Sequence, residues 1–106
     1  MCIRDRTQVI PEDVIEQTHQ VFANIETALA AVDASLADVI NSRVFIQDPA
    51  DVPRVMDVIG EKFRGIDPAT TVTCPPLGST VYKVELEVTA YRGAGQAQVT
   101  LIRLGQ

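Results

Sequence analysis

PATTVTCPPLGSTVYKVELEVTA, residues 68–90, contains a short β-branched run, a linker built on Pro75-Pro76 and Gly78-Ser79, and then a strict alternation. In Val84-Glu85-Leu86-Glu87-Val88 apolar and acidic side chains alternate at every residue, the period of an extended strand. Val84, Leu86 and Val88 therefore share one face and Glu85 and Glu87 the other. The two carboxylates lie about 6–7 Å apart on one pleated surface. The strand is predicted over residues 80–91, preceded by a short strand over 71–74 that opens after Pro68-Ala69.

Working outward, the sequence supplies two helices and a further strand. Asp13 with Glu16 three residues on is a capping-box pattern for a helix over 13–32, and Pro11 equally marks a first turn. Ile15, Phe22 and Leu29 recur every seven residues with Ile25 and Val32 between them. That apolar stripe must lie on a sheet or another helix. Asp33-Ala34-Ser35 breaks the pattern, and Ser35 with Asp38 repeats the cap signal for a single turn. Residues 39–47 then read as a strand, with Ile40, Ser42, Val44 and Ile46 on one face and Val39, Asn41, Arg43, Phe45 and Gln47 on the other. Pro49 ends it. Pro53 suits the first turn of a second helix over 53–64, which buries Val52, Met56, Ile59 and Phe63 and stops at Gly65. After the long strand, Gly93-Ala94-Gly95 reads as a hairpin loop leading to a last strand within 98–104.

This order predicts an α+β domain with both helices on one face of the sheet. The other face carries Val39, Phe45, Val81 and Tyr91 among polar residues. Two helices do not cover both sides, so a second subunit is expected there.

With 106 residues the chain is one domain, large enough to bury a core. It is 46% hydrophobic but has no apolar run approaching the length of a membrane-spanning helix. A net charge of −5 opposes attraction to phosphate backbones, so neither nucleic acid nor membrane is expected as a partner. Cys2 and Cys74 have no metal-ligand spacing and no second pair, which makes a reduced cytoplasmic setting the default. His19 stands outside the apolar stripe with no nucleophile or carboxylate constellation around it, and reads as solvated. Glycine-rich phosphate loops, metal spacings and basic patches are absent, and no metal or cofactor is expected. Met1-Cys2-Ile3-Arg4-Asp5-Arg6 has no apolar core of a secretion signal and no structural period. Residues 1–10 therefore read as a disordered or artefactual leader, and residues 11–106 as the domain.

Pro68-Ala69-Thr70-Thr71, followed after the linker by Val84-Glu85-Leu86-Glu87, resembles the C-terminal signature of the RidA/YjgF reactive-intermediate deaminases. That signature is Pro-Ala-Arg-Ser or Pro-Ala-Arg-Thr, then Val-Glu-Ile-Glu. The halves fall in register without a gap when Thr70 stands at the family's arginine and Glu85 at its site glutamate. The similarity extends upstream through Asp13-Val14-Ile15-Glu16-Gln17-Thr18, Asn24-Ile25, Leu29, Ser35-Leu36-Ala37-Asp38-Val39-Ile40 and Val44-Phe45-Ile46-Gln47-Asp48, covering about residues 12–91. The resemblance implies a RidA/YjgF-like, chorismate-mutase-like sheet with two helices packed on one face. It implies a homotrimer with ligand sites in clefts between subunits, and hydrolysis of 2-imino or enamine acids to 2-keto acids. It also places an N-terminal strand pair before the first helix, carrying tyrosine, serine and glycine site residues, so the chain reads as a fragment.

In that family the arginine binds the substrate carboxylate and the glutamate helps water attack the C=N carbon. Thr70 offers one neutral hydroxyl instead of a planar, permanently charged fork. The loss of such a pair is worth roughly 1.5–3 kcal/mol, about 10- to 100-fold in affinity. Arg43, on the strand face with Phe45, is the candidate for a relocated carboxylate anchor, although an arginine so placed more often makes an ordinary cross-strand ion pair. The candidate site is thus Glu85 as catalytic carboxylate with Thr70, Arg43 and Phe45 at the ligand. Two functions follow: an imine deaminase weakened at Thr70, or a non-catalytic trimeric module binding a small metabolite. A chorismate mutase of the same architecture needs several cleft arginines, and none beyond Arg43 is placed.

Overall fold

The computed structural model describes residues 11–96. Helix α1 spans Val14–Ala30, and the Asp13 carboxylate accepts a hydrogen bond from the Glu16 backbone at 3.2 Å. That bond satisfies one of the amide groups a helix start leaves unpaired. Its buried side is Val14, Gln17, Thr18, Val21, Phe22, Ile25 and Leu29. The expected stripe is corrected at both ends. Ile15 is only half-buried, and Val32 lies beyond the helix end, 55% exposed.

A single 3₁₀ turn over Leu36–Asp38 leads into β1, Val39–Ile46. A second 3₁₀ turn over Pro49–Asp51 then feeds helix α2, Val52–Lys62. Val55 and Ile59 are its buried residues, with Phe63 just past its end, while Val52 and Met56 pack at the core's margin. Gly65 closes the helix end at φ 79°, a left-handed conformation that glycine adopts without strain. Strands β2, Ala69–Thr73, and β3, Val84–Ala90, complete a sheet of order β2-β1-β3. β1 runs parallel to β2 and antiparallel to β3.

Both helices pack on one face of this sheet. Val14, Phe22, Ile25 and Leu29 of α1 and Val55 and Ile59 of α2 meet Val44, Ile46, Val84 and Leu86 in one core cluster. The rings of Phe22 and Phe63 sit edge to face at 5.2 Å and 67°, joining the two helices, an arrangement that adds to simple burial. Among the described residues no helix is long and apolar enough to cross a membrane.

The structure corrects two details of the sheet. Val39 pairs with Ala90 but Asn41 pairs with Thr89, so β1 takes two steps where β3 takes one. Ile40 is the extra residue of this bulge, and the alternation slips at it. Val39 therefore turns into the core at 3% exposure, and Ile40 turns out at 48%, the reverse of the period-two expectation. The long strand also starts late. Residues 79–82 form a turn closed by the Tyr82 amide on the Ser79 carbonyl at 3.2 Å. The backbone at 81 and 83 bonds to the side chain of Gln17. The expected leader over 1–10 and last strand over 98–104 lie outside the described residues.

Candidate functional site

The face of the sheet away from the helices is set by cross-strand register. Arg43 on β1 stands opposite Thr71 on β2 and Glu87 on β3. Phe45 stands opposite Thr73 and Glu85. Two rows result, Thr71-Arg43-Glu87 and Thr73-Phe45-Glu85, with Phe45 half-buried and the other five side chains exposed. Directly opposed side chains have Cβ atoms roughly 4.5–5.5 Å apart and diagonal ones about 7–8 Å. The guanidinium of Arg43 thus faces Glu87 across the strand pair and lies diagonal to Glu85. Among the described residues the ion pair formed is Arg54 with Asp51 at 2.9 Å, so neither glutamate closes on Arg43. A cation, an aromatic ring and two carboxylates therefore share one solvated surface.

Thr70 belongs elsewhere. It pairs with Ser42, which is fully buried on the helix side, and their hydroxyls meet at 2.9 Å. The Thr70 hydroxyl also donates to the Pro68 carbonyl at 3.1 Å. A threonine has one hydroxyl hydrogen, so with both bonds formed Ser42 is the donor to Thr70. Within one chain the structure brings Arg43, Phe45 and Glu85 together and puts Thr70 on the opposite face of the sheet. His19 is exposed on α1, outside the apolar side, as expected.

A cleft of about 410 Å³ lies between residues 65–68, the start of β1 and the turn at 94–95. Asp38 lies between two of its lining residues, Ala37 and Val39, and bonds a third, Gly95. Asp38 itself is 8% exposed; its carboxylate accepts from the Gly95 amide at 3.0 Å and the Ser35 amide at 3.1 Å, and its carbonyl accepts from the Tyr91 amide at 2.9 Å. The Gly95 bond most of all, then that from Ser35, hold the Asp38 carboxyl below its ordinary value of 3.8 against the opposing effect of burial. The contact is tight: a Cβ on Gly95 would fall 2.7 Å from the Ala37 Cβ.

A depressed carboxyl stabilises the fold fully above its unfolded value, and that contribution is lost as pH falls through the lower folded value. Asp38→Asn, which presents an amide NH₂ to a backbone donor, should lower the melting temperature at pH 7. The gap to the unmodified protein should narrow as pH drops below 3.8. A pH-independent gap in thermal melts at pH 7 and pH 3 would show that the charge is not what matters.

Sequence reasoning missed Gln17 and Gln47. Gln17 stands among apolar residues on the buried side of α1, and a polar side chain there demands partners. Gln47 follows β1, and its Oε1 accepts from the Leu77 amide at 2.9 Å, holding the linker before β3.

The family described as Endoribonuclease L-PSP matches this chain over residues 2–92. A RutC family protein of Pyrococcus horikoshii is 34% identical over 86 residues, spanning 80% of this chain and 68% of the relative. A goat protein named 2-iminobutanoate/2-iminopropanoate deaminase is 30% identical over 89 residues, spanning 81% of this chain and 63% of its own. The crystal structure of a YjgF/YER057c/UK114 family member from Mycobacterium tuberculosis superposes with a TM-score of 0.73 at 32% identity. That match covers 76% of this chain and 70% of the other.

Proposed function

This chain belongs to the endoribonuclease L-PSP family, the RidA/YjgF group, and from that premise we propose that it takes small 2-imino or 2-keto acids in clefts completed by neighbouring copies of a homotrimer. Glu85 is the carboxylate that activates water, Arg43 holds the substrate carboxylate, and Phe45 packs the substrate's apolar part. The observation that carries this reading is the open sheet face. Arg43, Phe45 and Glu85 stand on adjacent strands within one side-chain row of each other. In the reaction, water loses a proton to Glu85 as its oxygen bonds the C=N carbon. That proton passes to nitrogen to give the carbinolamine. A second proton then moves from its new hydroxyl to nitrogen, the C–N bond breaks as the C=O forms, and ammonia and the 2-keto acid leave. The goat relative's name supports the substrate class. The family's ribonuclease name gains no support from a chain of net charge −5, which repels a phosphate backbone.

Thr70 favours a second reading, a non-catalytic module binding a small metabolite. Its neutral hydroxyl is engaged with Ser42 and Pro68 and offers no charge to a carboxylate. Ammonia release from freshly generated iminopyruvate separates the two. The enzyme reading expects release above the buffer rate and a rise in KM on Arg43→Ala of about 10- to 100-fold, the loss of one charge-assisted pair. Release no faster than buffer, together with a thermal shift on adding pyruvate that Arg43→Ala removes, makes it a binding module. Activity untouched by Arg43→Ala removes Arg43 from either site.

A further inference from the structure

Gln17 is fully buried and lies on α1, yet all its side-chain bonds run out of the helix. Its Nε2 donates to the Pro11 carbonyl at 2.6 Å and to the Val81 carbonyl at 2.8 Å, and its Oε1 accepts from the Lys83 amide at 2.8 Å. Both amide hydrogens and the carbonyl are used, so the side chain has one possible orientation. Only a group that donates twice and accepts once fits. A glutamate of the same length can only accept when ionised, and an apolar residue does neither.

The bonded backbone, 81 and 83, brackets residue 82, and residue 83 is the last before β3. On the other side the Lys83 carbonyl accepts from the Gln47 amide at 3.1 Å, and the Lys83 ammonium bonds the Glu12 carbonyl. Residue 83 is thus fixed from both sides, two positions before Glu85. Because side chains alternate along a strand, a slip of one residue at this point would turn Glu85 into the core and Leu86 out.

We propose that Gln17 is a positioning residue for Glu85: by clamping 81 and 83 to α1 it sets where β3 begins and so holds the carboxylate on the open face beside Phe45. This rests on the role given to Glu85 above. Gln17 touches no substrate in this scheme and acts through the strand.

The test compares the unmodified protein with Gln17→Glu and Gln17→Met, the second removing the amide without adding a buried charge. Two readouts are taken, NMR of the folded protein and turnover of iminopyruvate. In folded Gln17→Met the Lys83 amide should exchange with solvent about tenfold faster or more, the loss of one hydrogen bond, whereas Gln17→Glu keeps an acceptor for that amide and loses the two bonds donated to Pro11 and Val81. The Glu85 side-chain resonances should move while those of Thr89, near the far end of β3, stay. Turnover should fall in kcat with KM unchanged, since Arg43 is untouched. Glu85 resonances that do not move in either variant, or an unchanged Lys83 exchange rate in Gln17→Met, overturn the proposal. Unfolding of both variants overturns it as well, because Gln17 would then hold the whole fold and not one strand's start. Failure of the catalytic reading shows separately, as an unmodified protein without turnover whose Glu85 resonances still respond to Gln17.

Discussion

Phe22→Ala lowers the free energy of unfolding by about 3–5 kcal/mol, the cost of removing a buried aromatic ring and leaving a cavity. Phe22 is 1% exposed and its ring meets Phe63, itself 4% exposed, at the point where α1 and the end of α2 converge. The hole therefore opens between elements that cannot collapse independently. A domain of this size has roughly 5–15 kcal/mol in total, so the variant sits near the edge of folding. Urea unfolding followed by circular dichroism should show a lower midpoint with an unchanged slope. A loss below about 1 kcal/mol would mean that the ring is not packed as described. The bulge supplies an internal control. Val39→Ala removes a side chain of 3% exposure and Ile40→Ala one of 48%. Val39→Ala should cost roughly 1.5–3 kcal/mol, and the larger deletion at Ile40 should cost less. The opposite ranking restores the simple alternation and removes the bulge.

That control marks where the sequence stops being legible. The faces of β3 could be read because Val84-Glu85-Leu86-Glu87 declares them residue by residue. Along β1 the same rule holds from Ser42 to Ile46 and fails at Ile40, since a bulge belongs to the pairing of two strands and not to either strand's sequence. Asp38 was readable as a cap because its partner Ser35 is three residues away, while its bond to Gly95 spans 57 positions and has no local signature. Gln17 is similar: its partners lie 64 and 66 residues on. The family and fold were legible because they rest on ordered short patterns. The candidate site was legible only as geometry. That Arg43, Phe45 and Glu85 share one face follows from alternation plus register, whereas the face that Thr70 takes depends on a parallel pairing that nothing in Pro68-Ala69-Thr70-Thr71 specifies.

Glu85→Gln gives the largest functional effect, a fall in kcat for iminopyruvate of about 10²–10⁴, the usual contribution of a positioned general base. The substitution keeps the size and hydrogen-bonding reach of the side chain and removes its charge and basicity. Glu85 is exposed, so stability should move by no more than about 0.5 kcal/mol, and a loss of rate is not a loss of fold. KM should hold, because the carboxylate anchor in this scheme is Arg43, one row along on β1. Glu87→Gln is the matched control. It removes an identical charge from the same face and strand, opposite Arg43 instead of Phe45. Its expected result is a change in KM through a less shielded Arg43, with kcat retained. Stopped-flow or coupled ammonia assays on both variants separate the two carboxylates. Equal losses of kcat from both would mean that the face acts through its summed charge. Strong turnover surviving Glu85→Gln would place the chemistry on other residues, and the water-activating role of Glu85 would fall with it.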